Sequence, residues 1–487
     1  MLSSQWLLAT ITLTALAFGL TLPVGAQSTE PAEPVGRRFQ VDPETGDDTA
    51  DGIQQPFRTI AKAIRMAQAG DTIHLKPTIY RDYAGFYGKT GEPGRPITLD
   101  GHGAILEGAD PLDPKGWTEV APGLYRHDNL LPRFDDAMLG RWFFLFDGVP
   151  QHMGRTSKGP SALLKPPEDL KPGEWTYLKQ AGQPEQPNGL LTGSFYVCLS
   201  TTQPLAAANI AIPVRSAGVQ FSGDNRHLVI RNLTATHPYN DGFNIHGHCE
   251  DVLFENIQAL ECGDDGISAH ETAEYEVRNF VSAGNSTGIC DTGASRTTYD
   301  GVFIRNCLGH DLYFLDTGRY RVKNAIVLSS SSRALAVIGR QAAEPCRLTL
   351  ENVLIIRSPD HPHEARITPN TVMTAKQVTF WNLDLHATGG KLTWQDSLIA
   401  GERKPRVILG RDVVWQAQAN RYDLQSFRWD QTEFTSANWS DFPPKALQDQ
   451  DSVWQALSPE QPPAAGQGAD QKALARRFPQ AKLPLSP

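Results

Sequence analysis

Leu228-Val-Ile-Arg-Asn232-Leu returns as Val252-Leu-Phe-Glu-Asn256-Ile and again as Tyr275-Glu-Val-Arg-Asn279-Phe. Four further copies follow: Val302-Phe-Ile-Arg-Asn306-Cys, Tyr320-Arg-Val-Lys-Asn324-Ala, Leu348-Thr-Leu-Glu-Asn352-Val and Val378-Thr-Phe-Trp-Asn382-Leu. From each Asn to the next the chain advances 24, 23, 27, 18, 28 and 30 residues. Short apolar-alternating runs at such a period predict a solenoid whose turns are made of strands. The asparagines have a structural reason. Asn tolerates the left-handed conformation needed at a bend between two strands, and stacked amides can bond from turn to turn. The uneven intervals place length changes in the loops, where solenoids carry their binding sites.

Between the first copies lies a second repeat. Asp241-Gly-Phe-Asn-Ile-His246-Gly is followed 24 residues later by Asp265-Gly-Ile-Ser-Ala-His270-Glu, with Asp264 just before it. Adjacent strands lie about 4.8 Å apart, so strands in successive turns stack Asp241 on Asp265 and His246 on His270. Phe243, Ile245, Ile267 and Ala269 then point inward. Gly242, Asn244, His246, Gly266, Ser268 and His270 point outward. The third turn, Thr287-Gly-Ile-Cys-Asp291-Thr-Gly, loses the matching aspartate and gains Asp291, which Asp316-Thr-Gly318 echoes. An exposed face carrying Asp241, Asp264, Asp265, His246 and His270 is the expected functional centre.

Clustered carboxylates repel, so three of them require a shared proton or a cation. One chemical reading is a calcium ion held by Asp241, Asp264 and Asp265, since calcium takes several oxygen ligands. The other is a general acid and base for glycoside hydrolysis, with one carboxyl's pKa raised by its neighbours. Asn244 and the basic residues of the next turns, Arg305, Arg319, Arg321 and Lys323 with Arg333 and Arg340, are the expected substrate contacts, suited to uronate or sulfate groups. The sequence shows no phosphate-binding glycine loop, zinc signature or serine nucleophile elbow.

Bulk properties narrow the classes. The net charge of −9 argues against a nucleic-acid partner, which selects a basic surface. Trp6–Leu20 is an uncharged apolar run and Val24-Gly25-Ala26 offers small residues for cleavage, so residues 1–26 read as a signal peptide. A secreted or periplasmic protein follows, with no membrane span after cleavage. Residues 27–38 are a polar linker, and 39–109 form an N-terminal cap and first turns. There Ile60, Ala63, Ile64 and Ala67 mark one helical face, with Gly70 as its stop. Residues 110–205 break the repeat with Pro, aromatic strands and polar loops, a β-rich excursion placed to wall a cleft. The solenoid core spans 206–400, and 401–487 supply a C-terminal cap and a poorly ordered tail. The six cysteines (198, 249, 262, 290, 307 and 346) read as buried thiols, Cys249 and Cys262 being the pair to test for a disulfide.

Pro56-Phe-Arg-Thr-Ile60 with Ala69-Gly-Asp-Thr-Ile-His-Leu75 resembles the N-terminal entry of secreted right-handed parallel β-helix proteins of the pectate-lyase-like superfamily, in which a short amphipathic helix caps the first turn. Asn240-Asp241, Gly263-Asp264-Asp265 and Arg321-Val-Lys323 resemble motifs of the family 28 polygalacturonases. That resemblance implies the aspartates as acid and water-activating residues, and Arg321 and Lys323 as ligands of a substrate carboxylate. The Gly-His-Gly motif of that family is absent near residue 288. Asp241-Gly-Phe and Asp264-Asp265-Gly also look like the calcium-binding strands of family 9 pectate lyases, which imply a calcium-acidified uronate and a lysine base. Here Ser268 stands where that pattern has its fourth aspartate, and no lysine lies between residues 180 and 322, which leaves His246 and His270 as bases. The expectation is a monomeric, exported, all-β right-handed parallel β-helix that degrades an anionic polysaccharide. Lyase is placed before hydrolase because the three acids suit a cation, and a non-catalytic carbohydrate-binding surface protein is the alternative class.

Overall fold

The computed structural model describes residues 36–180, 189–340, 343–360, 364–441, 447–457 and 466–481. The expected signal peptide and most of the linker lie outside the described residues. No helix among the described residues is long and apolar enough to cross a membrane.

The repeats fold as the pattern requires. The chain is an all-β parallel β-helix of about 14 turns, with an N-terminal capping helix and a β-rich insertion. Sheet one gathers 17 strands, mostly the long repeat strands such as Asp224–Thr236, His248–Leu260 and Thr272–Ala283. Sheet two gathers 12 shorter strands, among them Phe243–Ile245, Asp265–Ala269, Thr287–Asp291 and His310–Leu315. The interior is a continuous apolar column in which Phe243, Ile245, Phe254, Ile267, Val277 and Ile289 are fully buried. Burying each such side chain contributes roughly 1.5–3 kcal/mol. The N-terminal opening is closed by helix α1, Ile60–Met66, capped by Thr59, with Ile60, Ala63 and Ile64 buried against the first turns.

All seven repeat asparagines have left-handed backbone, with φ between 52° and 60°. They occupy two different corners. Asn232, Asn256, Asn279, Asn324 and Asn352 bend the long strands of sheet one, and several of their amides bond to the turn below: Asn256 donates to Asn232 (3.1 Å), Asn279 to Asn256 (2.9 Å) and Asn352 to Asn324 (2.8 Å). On the intervening turn the ladder position is Gly301, φ 82°, since Arg278 pairs with Asp300 and Phe280 with Val302. Asn306 instead follows Arg305 at the far end of its strand, in line with His237, Glu261 and Gly284, which are also left-handed. Asn382 likewise ends its strand. The alternation between corners explains the uneven 27- and 18-residue intervals.

Parallel pairing continues past residue 400, through Arg406–Leu409, Val413–Gln418 and Ser426–Trp429 to Leu447–Gln450. The tail expected to be poorly ordered contains a helix, Gln471–Arg477, whose Leu474 and the following Phe478 pack on Phe303, Ile326 and Leu354 of sheet one. Arg477 fills the gap that Gly301 leaves in the ladder, bonding Asn279 Oδ1 (2.7 Å) and Asp300 Oδ1 (2.7 Å). A Cβ on Gly301 would sit 2.1 Å from its guanidinium.

The excursion runs from Ala109 to Pro213, a few residues past the expected 110–205, and folds into two four-stranded antiparallel sheets. One contains Leu124–Asp128, Gly193–Cys198 and Trp175–Lys179; the other contains Phe144–Phe146 and Ile210–Pro213. It has its own aromatic core of Trp142, Phe144, Trp175 and Phe195, against which Tyr239 of the solenoid packs. All six cysteines are free thiols, and Cys249 and Cys262 are not bonded to each other.

Candidate active site

Strand pairing sets Phe243 beside Ile267, Asn244 beside Ser268 and Ile245 beside Ala269. The two Asp-Gly copies are therefore in register, as their spacing requires. The imidazoles of His246 and His270 stack with centroids 4.0 Å apart and planes within 5°. The Asp265 peptide N–H donates to Asp241 Oδ1 (3.0 Å), and Ser268 Oγ donates to Asp241 Oδ2 (2.7 Å). One carboxylate oxygen from each of Asp241, Asp264 and Asp265 falls within a 4.8 Å circle of separations.

The aspartates were expected on an exposed face, but the structure buries them at 3%, 7% and 2% exposure. The covering comes from the excursion. A short helix, Asp136–Arg141, ends with Arg141 aimed at Asp264 Oδ2 (3.2 Å). A later loop brings Ser157 to hydrogen-bond Asp264 and Lys158 to ion-pair with it. The Lys158 ammonium also donates to both oxygens of Asp265, at 2.8 and 2.9 Å. Gly263 is required where this wall meets the solenoid, because a Cβ there would lie 2.4 Å from the Tyr239 carbonyl oxygen and 2.9 Å from that of Arg141.

Charge follows from this packing. Burial pushes the Lys158 amine down, yet Asp265, Asp264 and Asp241 outweigh burial and hold it well above its usual value. Burial also raises Asp264, but Lys158, Ser157 and Arg141 reverse that and keep it ionised. Burial, then the Asp264 charge, pushes Asp241 up to about 6 and Asp265 well above the carboxylate range. Three carboxyls thus face two cations, and the raised values favour a retained proton among them, on Asp265 before Asp241. Burial, with His246 stacked on it, brings His270 down to about 4, so its ring is neutral at neutral pH.

A cavity of about 550 Å³ opens above these groups. Asp241, Asp264, Asp265, Asn244, His246 and His270 all line it, together with Arg141, Lys158, His310, Tyr313 and Arg340. Asn244 is held by Gln220, which accepts from its Nδ2 (3.0 Å). Arg340 pairs with Asp316 (3.1 Å) at the rim. Four of the expected substrate contacts are elsewhere. Arg305, Arg319, Arg321 and Lys323 belong to sheet one, not to the sheet that carries the aspartates. Arg321 pairs with Glu351 (2.7 Å), and Arg319 and Arg321 line a separate groove with Arg278, Arg296 and Arg347. The Arg-Val-Lys run alternates about the strand, which sends Arg321 and Lys323 outward from sheet one while Val322 is buried. Asp291 faces the interior, accepting from Tyr299 (3.0 Å) and Thr297 (2.6 Å), and burial pushes it up to about 7.

Lys158 and Arg141 were missed because they lie 107 and 123 residues before their partner Asp265 or Asp264, in the stretch without a repeat. The available signal was electrostatic. Three acids needed a cation and the nearby turns held no lysine, so the excursion was the place to look.

The acids make a donor set that a hard cation such as calcium would accept. The Lys158 ammonium already takes those same oxygens, so the residues as arranged do not fit a resident calcium ion beside it.

A family model described as "Protein of unknown function (DUF1565)" matches residues 44–87, the capping helix and the first strands. No curated protein matches the chain. Among solved structures, the chain is similar to one titled as a complex of XylC with xylose. The identity is 12% and the TM-score 0.46, over 86% of this chain and 82% of that one. It is similar to a rhamnogalacturonan lyase at 12% identity and TM-score 0.35, over 75% and 82%. A GH136 lacto-N-biosidase from Eubacterium ramulus aligns at 10% identity and TM-score 0.24, over 86% and 67%. Likenesses this distant assign no activity.

Proposed function

We propose that the protein is a carbohydrate-active enzyme that hydrolyses an anionic polysaccharide, using a proton retained by Asp265 or Asp241 as general acid and ionised Asp264 as the charge partner of the reacting sugar. The observation that carries this reading is the arrangement at the cavity floor: three buried carboxyls against two cations, with burial and the Asp264 charge raising Asp265 and Asp241. A carboxyl that keeps its proton near neutral pH is what protonation of a glycosidic oxygen needs. Arg340, whose side chain stays largely exposed beside Asp316 at the rim, favours a substrate bearing carboxylate or sulfate.

Elimination is the second reading, and neutral His270 supports it, since an uncharged imidazole can take the proton next to a uronate carboxyl. The test is a panel of uronate, sulfated and neutral glycans, followed both by reducing ends and by absorbance near 235 nm, with calcium and with chelator. New reducing ends without absorbance support hydrolysis, and absorbance would replace it with elimination. Binding without either signal would leave a carbohydrate-binding surface protein.

A further inference from the structure

We propose that His74, Asp100 and His102 form a binding site for a borderline divalent transition-metal ion, of which zinc is the natural probe, on sheet one and independent of the aspartate cavity. His74 lies on the strand Thr72–Leu75 and is paired in register with Asp100 on Ile97–Glu107. His102 follows at the bend of that strand, with left-handed backbone at φ 50°. Its position turns the ring back over the preceding turn. His74 Nδ1 and His102 Nε2 come within 2.8 Å, with the rings stacked at 5.1 Å. Asp100 Oδ1 lies 3.6 Å from Nδ1, the other nitrogen of the His102 ring, and one ligand atom from each of the three residues lies within 4.8 Å of the others.

Two imidazole nitrogens facing each other can share one hydrogen or one metal ion. With zinc–nitrogen bonds of about 2.0–2.1 Å and tetrahedral angles, the two nitrogens would stand about 3.3 Å apart, a small opening from the present contact. Two imidazoles and a carboxylate suit zinc and its transition-metal neighbours over calcium or magnesium. The carboxylate is already oriented from outside: Arg231 Nε donates to Asp100 Oδ2 (2.8 Å), and Asn232 Nδ2 and the His102 peptide N–H donate to Oδ1 (2.9 and 3.2 Å). Such supporting partners are typical of metal-binding carboxylates. A cavity of about 600 Å³, lined by both histidines with Arg38, Gln40, Asp42 and Lys76 though not by buried Asp100, leaves room for water on the open side of the two rings. The three residues come from two neighbouring turns, so no linear zinc signature announces them.

The test is equilibrium dialysis of zinc against the full chain without a histidine tag, with cobalt as a spectroscopic substitute. One zinc per chain with micromolar half-saturation, and intense visible bands from tetrahedral cobalt, are expected. His102→Gly removes the ring at a left-handed position where glycine costs no strain, and His74→Ala removes the other. Each should weaken zinc binding at least tenfold. Asp100→Asn, which removes the anionic ligand, should weaken it at least tenfold as well. Asp264→Asn, in the other cavity, should leave the stoichiometry unchanged. A folded wild-type chain that takes up no zinc, or zinc retained equally by His102→Gly and His74→Ala, would overturn the proposal.

Discussion

The Lys158 ammonium sits between the two oxygens of Asp265, at 2.8 and 2.9 Å, and on its other side pairs with Asp264. A side chain from a loop outside the solenoid thus occupies the place a cation would take among the acids. Removing one partner of a buried charge pair costs about 3–5 kcal/mol, because the others are left uncompensated. Lys158→Met should therefore lower stability by about that amount, measured by chemical denaturation. Added calcium should restore part of the loss in the variant, since the emptied carboxylates then suit a hard cation. The wild type should melt at the same temperature with calcium or with chelator. A wild type that melts earlier in chelator would show that the metal, not Lys158, balances the acids.

The raised Asp241 and Asp265 carboxyls give the second expectation. Asp265→Asn and Asp241→Asn should each reduce turnover about 10²–10⁴-fold on whichever glycan the wild type cleaves, with the fold kept by circular dichroism. His246→Ala removes a stacked ring at the cavity wall and should act mainly on substrate affinity. If His270→Ala abolishes turnover while the two aspartate variants keep it, proton abstraction by the imidazole replaces acid catalysis by the carboxyls.

The corner ladder is testable by comparing two replacements at one position. Asn256 has φ 52°, donates to Asn232 and accepts from Asn279. Asn256→Gly loses two side-chain bonds, each worth about 0.5–1.5 kcal/mol. Asn256→Ala loses the same bonds and adds the left-handed strain of a Cβ, about 1–2 kcal/mol. Denaturation midpoints should fall in the order wild type, Gly, Ala. Equal midpoints for Gly and Ala would mean that the corner relaxes and the asparagines act by their amides alone.

How far these features were legible follows from how local their causes are. The solenoid, the capping helix and the stacking of His246 on His270 depend on short-range periodicity, so the spacing of residues sufficed. The sorting of Asn306 from Asn279 was hidden, because both corners need a left-handed residue and Asn serves either. The aspartates could be grouped from their 24-residue spacing. A carboxyl raised by its neighbours could be expected from that grouping, but the burial of the aspartates could not, since it depends on Arg141 and Lys158 crossing from a stretch with no repeat to register it. Arg321-Val-Lys323 misled for the opposite reason: it lies in the repeat itself, and its side chains stand on sheet one.

His237 provides a pH signature away from the cavity. It occupies the second corner, with Nδ1 3.1 Å from Glu107 Oε1 and Nε2 3.0 Å from Glu261 Oε2, so one ring ties three successive turns together. Burial alone would lower its pKa, but the two carboxylates outweigh burial and raise it to about 9 from 6.5. A group raised on folding binds its proton more tightly in the native state. Its stabilisation is therefore complete below about pH 6.5 and is lost as pH climbs through 9. By the usual conversion the shift corresponds to no more than about 3.5 kcal/mol. Wild-type stability should decline between pH 6.5 and 9, whereas His237→Gln, which keeps a hydrogen-bond donor but no titratable ring, should be less stable at pH 6 and nearly flat across that interval. The measurement is the denaturation midpoint at half-unit steps of pH. Parallel curves for the two proteins would place the charge that stabilises this corner somewhere other than His237.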